Sequence, residues 1–133
     1  MTTTGHIRNG MGNVRPYVYG PPGLLPWLEA TFAAEVLEMS ADGGEVSIRI
    51  GDSAVALSLG DAFPPGAGTK ASIYVYVEDV DFTYARAVAG GAGPVSEPAD
   101  KPYGERQGAV ADALGNTWYI ATYVGAAEGA GAG

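Results

Sequence analysis

Ala71-Ser72-Ile73-Tyr74-Val75-Tyr76-Val77 alternates tyrosine with aliphatic residues, and an amphipathic stretch follows it at residues 80–89. The same order occurs earlier in the chain. There Arg15-Pro16-Tyr17-Val18-Tyr19 leads through Gly and Pro into an amphipathic stretch at residues 24–32. In each copy, strand-like runs with a Gly-Asp or Gly-Asn turn come next, at Gly51-Asp52 and Gly115-Asn116. The repetition predicts an internal duplication of a unit about half the chain long.

The two copies predict an α+β fold of two tandem βαβββ modules, residues 13–61 and 71–124. Helices are predicted at 24–32 and 80–89. Strands are predicted at 14–19, 35–39, 45–50, 53–59, 71–77, 94–97, 107–112 and 117–124. We expect a half-open, cup-shaped mixed sheet with the helices on its outer face. Residues 1–12 are predicted to be a flexible leader, 62–70 a linker and 125–133 a flexible Gly/Ala tail.

Alternate residues of a strand face opposite sides of its sheet, so each predicted strand presents two different rows. One row is aliphatic, as in Val14, Pro16 and Val18, and is expected to face the helices. The other row is aromatic or polar, which favours a ligand cup over a surface facing bulk water. Two alternatives stay open: the tyrosines could pack a dimer interface, and the arginines could form salt bridges or lie at an exposed edge. Trp118 and Trp27 are predicted to be structural.

Composition excludes several classes of protein. The 133 residues contain no cysteine, so neither disulfides nor thiolate chemistry is possible. The net charge is −8 with only seven basic residues, which leaves no basic stripe for a nucleic-acid partner. No apolar run reaches the roughly 20 residues of a membrane helix, and the start of the chain lacks a signal-peptide pattern. A cytoplasmic protein without membrane contact is therefore the expectation.

Three stretches resemble one known family. They are Tyr74-Val-Tyr-Val-Glu-Asp-Val-Asp81, Glu97-Pro-Ala-Asp-Lys-Pro-Tyr-Gly-Glu-Arg106, and Asp112-Ala-Leu-Gly-Asn-Thr-Trp-Tyr-Ile-Ala-Thr122. The chain resembles the vicinal oxygen chelate superfamily, also called the glyoxalase/bleomycin-resistance/dioxygenase family. The resemblance implies the duplicated fold, and it places Tyr103, Glu105 and Arg106 on a loop that opens the rim of the cup. It does not separate enzymes from drug-sequestering binders.

Family enzymes hold a metal on the inner ends of four strands. Carried across by register, the resemblance puts these ligand positions at Asn13, Val55, Ser72 and Tyr119, and none of them is a strong ligand. The only histidine, His6, falls in the predicted leader. We therefore expect no metal and no cofactor.

The sequence predicts a metal-free small-molecule binder that sequesters an aromatic or polycyclic metabolite or antibiotic, as the family's bleomycin-resistance members do. Its predicted ligand-binding residues are Arg15, Tyr17, Glu45, Ser47, Arg49, Tyr74, Tyr76, Tyr103, Arg106 and Tyr119. One alternative is a cofactor-free lyase, isomerase or cyclase that uses Tyr119, Glu45 or Arg49. The other is a metal-dependent glyoxalase- or dioxygenase-like enzyme.

A homodimer with two equivalent cups is also predicted, because half-open sheets leave edges that a second copy can cover. The modules could pair within one chain or between chains. Pairing between chains would build each cup from two sets of residues: Arg15, Tyr17 and Ser53 of one chain, and Tyr74, Tyr76 and Tyr119 of the other.

Overall fold

A computed structural model describes residues 4–61 and 70–125 of the chain. Most of the predicted linker and tail lies outside these residues. The chain divides into two compact units, Met1–Lys70 and Ala71–Gly133. No helix in the described residues is long and apolar enough to cross a membrane.

Unit 1 is one βαβββ module. Its elements are β1 (Tyr17–Gly20), α1 (Leu24–Phe32), β2 (Glu35–Met39), β3 (Glu45–Ile50) and β4 (Ser53–Leu59). The strand order is β1-β4-β3-β2, with β1 parallel to β4 and the other pairs antiparallel. Two short 3-10 turns, at Thr4–His6 and Arg8–Gly10, precede β1 within the predicted leader.

Unit 2 repeats the module. Its elements are β5 (Ser72–Tyr76), α2 (Val80–Ala89), β6 (Gly93–Lys101), β7 (Glu105–Ala111) and β8 (Thr117–Tyr123). The strand order is β5-β8-β7-β6, again with only the first pair parallel. The predicted α+β class with two tandem βαβββ modules and open mixed sheets is confirmed.

Local sequence explains both helices, whose observed bounds equal the predicted ones. Asp79 precedes α2 in an extended conformation, and its carboxylate accepts a hydrogen bond from the Phe82 amide at 3.1 Å. Ala33 ends α1 in the left-handed conformation, and its N–H donates back to the carbonyls of Leu28 and Glu29.

The core of unit 2 lies between α2 and the strands β6, β7 and β8. Val110, Trp118 and Ile120 have no exposed surface, and the Trp118 indole N–H donates to the Asp112 carboxylate at 2.8 Å. The predicted structural role of Trp118 is confirmed, because burying an indole requires a partner for its N–H.

The predicted bounds of β1, β6 and β7 are wrong, while the predicted β5 is one residue too long at each end and the predicted β8 is one residue too long at its C-terminal end. β1 begins at Tyr17, and Val14, predicted to face the helices, is 88% exposed. The β6–β7 hairpin is longer than predicted, with Lys101 opposite Glu105 and Asp100 opposite Arg106. Glu105 and Arg106 therefore lie in β7 and not on a rim loop. β6 accommodates its prolines because it is an edge strand. A proline lacks a backbone N–H, and at the edge this removes no hydrogen bond between inner strands of the sheet.

Candidate functional site

One face of the unit 2 sheet carries a cluster of tyrosines around a carboxylate. We call it the tyrosine face and define it by Tyr74, Tyr76, Glu105, Gln107 and Tyr119. Strand register brings these residues together: Tyr74 lies opposite Tyr119, while Tyr76 and Gln107 both lie opposite Ala121. The other face is covered by α2, since a Cβ built on Gly108 would lie 3.2 Å from a ring carbon of Tyr84.

Glu105 is the buried centre of the tyrosine face, with only 8% of its surface exposed. The Tyr74 hydroxyl donates a hydrogen bond to its Oε1, and the Tyr76 hydroxyl donates to its Oε2 at 2.6 Å. Gln107 Nε2 donates in turn to the Tyr74 hydroxyl oxygen at 2.5 Å. These contacts fix the orientation of two phenol rings through one carboxylate.

The rings form a partly open aromatic surface. Tyr74 stacks on Tyr119 with ring centres 5.7 Å apart and planes 20° apart, and Tyr76 lies 5.4 Å from Tyr74 at a tilt of 53°. Tyr74 and Tyr76 are 43% and 61% exposed. Large aromatic side chains that are both ordered and exposed are a surface suited to binding.

The electrostatic environment of the tyrosine face is negative. Burial, followed by the hydrogen bond to Glu105, raises the pKa of Tyr74 to about 12. The hydrogen bond to the same carboxylate raises the pKa of Tyr76. Both phenols are therefore protonated at neutral pH and act as hydrogen-bond donors there.

Unit 1 has a related but more exposed arrangement. The Tyr17 hydroxyl donates to Glu45 Oε1 at 3.1 Å, and the Ser58 hydroxyl donates to Glu45 Oε2 at 2.8 Å. Burial, with the Glu45 hydrogen bond, raises the pKa of Tyr17. A cavity of about 480 Å³ lies beside this group; it is lined by Arg8, Arg15, Glu38, Met39, Ser40, Glu45, Val46, Ser47, Ala56 and Leu57.

Arg15 connects the start of the chain to this cavity. One of its terminal nitrogens donates to the carbonyls of Arg8 and Met11 at 2.6 and 3.2 Å, and the other lies 3.5 Å from the Ser47 hydroxyl. Arg8 forms an ion pair with Glu38 of β2 at 2.6 Å. The guanidinium groups of Arg8 and Arg15 thus hold residues 8–11 against the edge of the cavity.

The other predicted ligand-binding residues lie apart from the tyrosine face or at its border. Arg49 forms an ion pair with Glu35 of β2. Arg106 points to the α2 face, where it pairs with Asp81 at 2.9 Å and with Asp100 at 3.1 Å. Tyr103 lies in the β6–β7 turn, and its phenol is close enough to Tyr74 to contribute to the raised pKa of that residue.

A metal of the kind that the fold family implies does not fit these residues. Val55, at one of the four ligand positions, is a buried hydrocarbon side chain and cannot coordinate. Within residues 4–61 and 70–125, no three His, Cys, Asp or Glu side chains lie close enough together to hold a metal ion. Hard and borderline divalent cations need several such donors.

Sequence reasoning missed the central residue of the tyrosine face. The sequence predicts Glu105 on a loop and does not predict Gln107 as a site residue. A signal for both exists in the chain, because Glu105, Gln107 and Ala109 share the strand parity that opposes the buried Val110. A strand that begins at residue 105 carries both polar groups on the face of the tyrosines.

Comparisons with known proteins agree with this fold. A family model described as the Glyoxalase/Bleomycin resistance protein/Dioxygenase superfamily matches residues 25–120. The solved structure of TioX from Micromonospora sp. ML1 is similar, with a TM-score of 0.66 and 26% identity, covering 84% of this chain and 99% of that chain. The fosfomycin resistance protein FosX from Mesorhizobium loti has a TM-score of 0.60 and 19% identity, over 84% of this chain and 92% of that chain.

A curated relative is an uncharacterized protein from Mycobacterium tuberculosis strain H37Rv. It is 32% identical over 76 residues, which are 56% of this chain and 45% of that protein. The chain thus spans about half the length of the curated relatives it matches.

Proposed function

The chain belongs to the glyoxalase/bleomycin resistance protein/dioxygenase superfamily, and we propose that it binds a planar aromatic small molecule on the tyrosine face. Binding is reversible and needs no metal. An antibiotic is one ligand of this class, because the family takes part of its name from bleomycin resistance proteins. The cytoplasmic location expected from the sequence stays a prediction.

The observation that carries the proposal is the stacked pair Tyr74 and Tyr119, flanked by the exposed ring of Tyr76. A flat ligand gains about 0.5–1.5 kcal/mol from each well-placed aromatic contact beyond the area it buries. The hydrogen bonds to Glu105 hold two of these rings before a ligand arrives, which reduces the entropy lost on binding.

A fluorescence titration tests the proposal. Planar aromatic compounds, including polycyclic antibiotics, are added to the protein while tyrosine and tryptophan emission is followed. We expect dissociation constants in the micromolar range, and Tyr76→Ala weakens them about tenfold. Phe82→Ala is the matched control, because Phe82 is 59% exposed but lies on α2. The proposal would be refuted if the two variants lost the same amount of affinity, or if no planar compound bound to the unaltered protein.

A cofactor-free lyase or isomerase is the second candidate function. One observation favours it: a buried carboxylate, Glu105, contacts the hydroxyl of a tyrosine that is protonated at neutral pH. The pair could exchange a proton with a bound substrate, with Tyr74 as donor and Glu105 as acceptor. Proton NMR of each compound recovered after incubation separates the two functions. An unchanged compound supports binding alone, and a product that is lost with Glu105→Gln supports the enzyme.

A further inference from the structure

We propose that the ligand of the tyrosine face carries a positive charge, on a nitrogen in or beside its aromatic ring, and that Glu105 selects for this charge. The inference rests on the proposed function of the same face and adds the chemical class of the ligand. An N-alkylated heteroaromatic ring is the simplest compound of this class.

Glu105 has no cationic side chain paired with it among the described residues. Its two carboxylate oxygens accept hydrogen bonds from neutral phenols, and among the residues that the structure describes no Lys, Arg or His forms an ion pair with it. Lys101 lies opposite Glu105 in the β6–β7 register, yet the two make no ion pair. A carboxylate that is 8% exposed and has no cationic partner attracts a cation more strongly than a solvated one does.

The tyrosine rings around Glu105 also favour a cation. A phenol that donates to a carboxylate gains electron density, and the face of a tyrosine ring attracts a cation within about 6 Å of its centre. The exposed rings of Tyr74 and Tyr76 lie directly beside the carboxylate. A flat cation can therefore stack on a ring while its charge lies near Glu105.

Of the other charges near the face, Lys101 opposes a cationic ligand, whereas the following features favour one. The nearest arginine in sequence, Arg106, is turned to the α2 face and is neutralised there by Asp81 and Asp100. The hydrogen bond to Glu105 raises the pKa of Tyr76, and burial followed by the hydrogen bond to Glu105 raises that of Tyr74, so both phenols stay neutral beside the carboxylate. The net charge of the chain, −8, also favours the approach of a cation.

Three probes of the same shape test the inference by fluorescence titration near neutral pH: 1-methylquinolinium, neutral quinoline and quinoline-4-carboxylate. We expect the cation to bind about tenfold more tightly than quinoline, and the carboxylate to bind more weakly than either. Equal affinity for the three probes would leave the proposed aromatic binding in place and overturn the inference. If neither the three probes nor any planar compound of the wider panel binds, both the proposed function and this inference are wrong.

Glu105→Gln and Glu29→Gln are the matched variants. Each removes one negative charge, but Glu29 is exposed on α1 and is not one of the predicted ligand-binding residues. We expect Glu105→Gln to abolish the preference for the cation while quinoline still binds, and Glu29→Gln to leave the preference unchanged. Equal effects of the two variants would mean that net charge alone attracts the probe, and this would overturn the inference. If Glu105→Gln does not fold, the three-probe comparison on the unaltered protein decides, together with Lys101→Gln, which we expect to strengthen cation binding.

Discussion

At the scale of single residues, Asp112 holds the turn between β7 and β8. Its Oδ1 accepts from the backbone amides of Leu114, Gly115 and Asn116 at 3.0 to 3.1 Å, and its Oδ2 accepts from the Trp118 indole at 2.8 Å. One side chain thus accepts hydrogen bonds from three backbone amides of the turn and from the buried indole of Trp118.

We predict that Asp112→Ala lowers the free energy of unfolding by about 2–4 kcal/mol, because the buried Trp118 N–H and the turn amides lose their acceptor. Urea denaturation measures the change. Asp52→Ala is the control, since Asp52 lies in the β3–β4 turn and accepts only from the neighbouring Ser53 hydroxyl in the part of the chain described. A loss in Asp112→Ala no larger than in the control would contradict the prediction.

Tyr74 gives the protein a pH dependence in the alkaline range. Its pKa rises from 10.0 to about 12 in the fold, so between these values the folded chain keeps a proton that the unfolded chain has lost. The stabilisation is fully present below about pH 10 and is lost as the pH rises through about 12. Because Tyr74 is 43% exposed, solvent screening reduces the size of the effect.

Tyr74→Phe removes this titrating group, so its free energy of unfolding should decrease less steeply between about pH 10 and pH 12 than that of the unaltered protein. The raised pKa values of Tyr76 and Tyr17 contribute to the slope that remains. Denaturant unfolding at several alkaline pH values gives both slopes, and identical slopes would show that Tyr74 does not titrate as described.

Local sequence patterns predict some residues of the tyrosine face but not Glu105. The tyrosines were predicted from their strand alternation, which is a local pattern. Glu105 was not, because its partner Tyr74 lies 31 residues away in sequence, and only the pairing of β5 with β8 and of β8 with β7 brings the two together. The ion pairs of Arg49 and Arg106 depend on strand pairing and helix packing in the same way.

At the scale of elements, both helices have the predicted bounds, because an apolar stripe is a local signal; for α2 the Asp79 cap and the glycine at position 90 add two more. The same holds for β2, β3 and β4. β6 runs from Gly93 to Lys101, well beyond the predicted 94–97, and it contains Pro94 and Pro98. The sheet accommodates them at its edge with two register shifts, which a single sequence does not reveal.

At Gly108, β7 lies close to both β6 and α2. A Cβ at this position would lie 3.2 Å from Pro98 N, from Ser96 O and from a ring carbon of Tyr84. Two of these atoms are backbone and cannot move without shifting β6.

Gly108→Ala should therefore lower the free energy of unfolding by about 1–3 kcal/mol. Gly93→Ala in β6 is the matched control, because a Cβ there meets nothing within 4 Å. Thermal and urea denaturation of both variants test the difference. If the Gly108→Ala protein is as stable as the control, β6 can shift to accommodate the added methyl group without loss of stability.

At the scale of the whole molecule, the two units share one strand order and one connectivity but differ at their sites. Both place a tyrosine of the first strand against a glutamate of the third strand, Glu45 in unit 1 and Glu105 in unit 2. The Glu45 contact is exposed, whereas Glu105 is buried. The duplication has thus retained the sheet while only unit 2 has enclosed its carboxylate.

A homodimer is the predicted state of the protein in solution. Each sheet is open, with β1 and β2 as the end strands in unit 1 and β5 and β6 in unit 2. Tyr17, Tyr76 and Tyr123 are 51%, 61% and 63% exposed, and tyrosine is enriched in protein interfaces. A second copy related by two-fold symmetry is the commonest way to cover such edges and side chains.

Light scattering across a range of concentrations should give a mass of twice 13.5 kDa. A ligand that contacts both chains binds the dimer and not the monomer. Adding 1-methylquinolinium should therefore move the monomer-to-dimer transition to lower protein concentration. Phe82→Ala should behave like the unaltered protein, because it leaves the tyrosine face intact, whereas Tyr76→Ala should weaken the shift. A monodisperse monomer at high concentration that still binds the probe would exclude a site shared between two chains, since one chain would then be sufficient for binding.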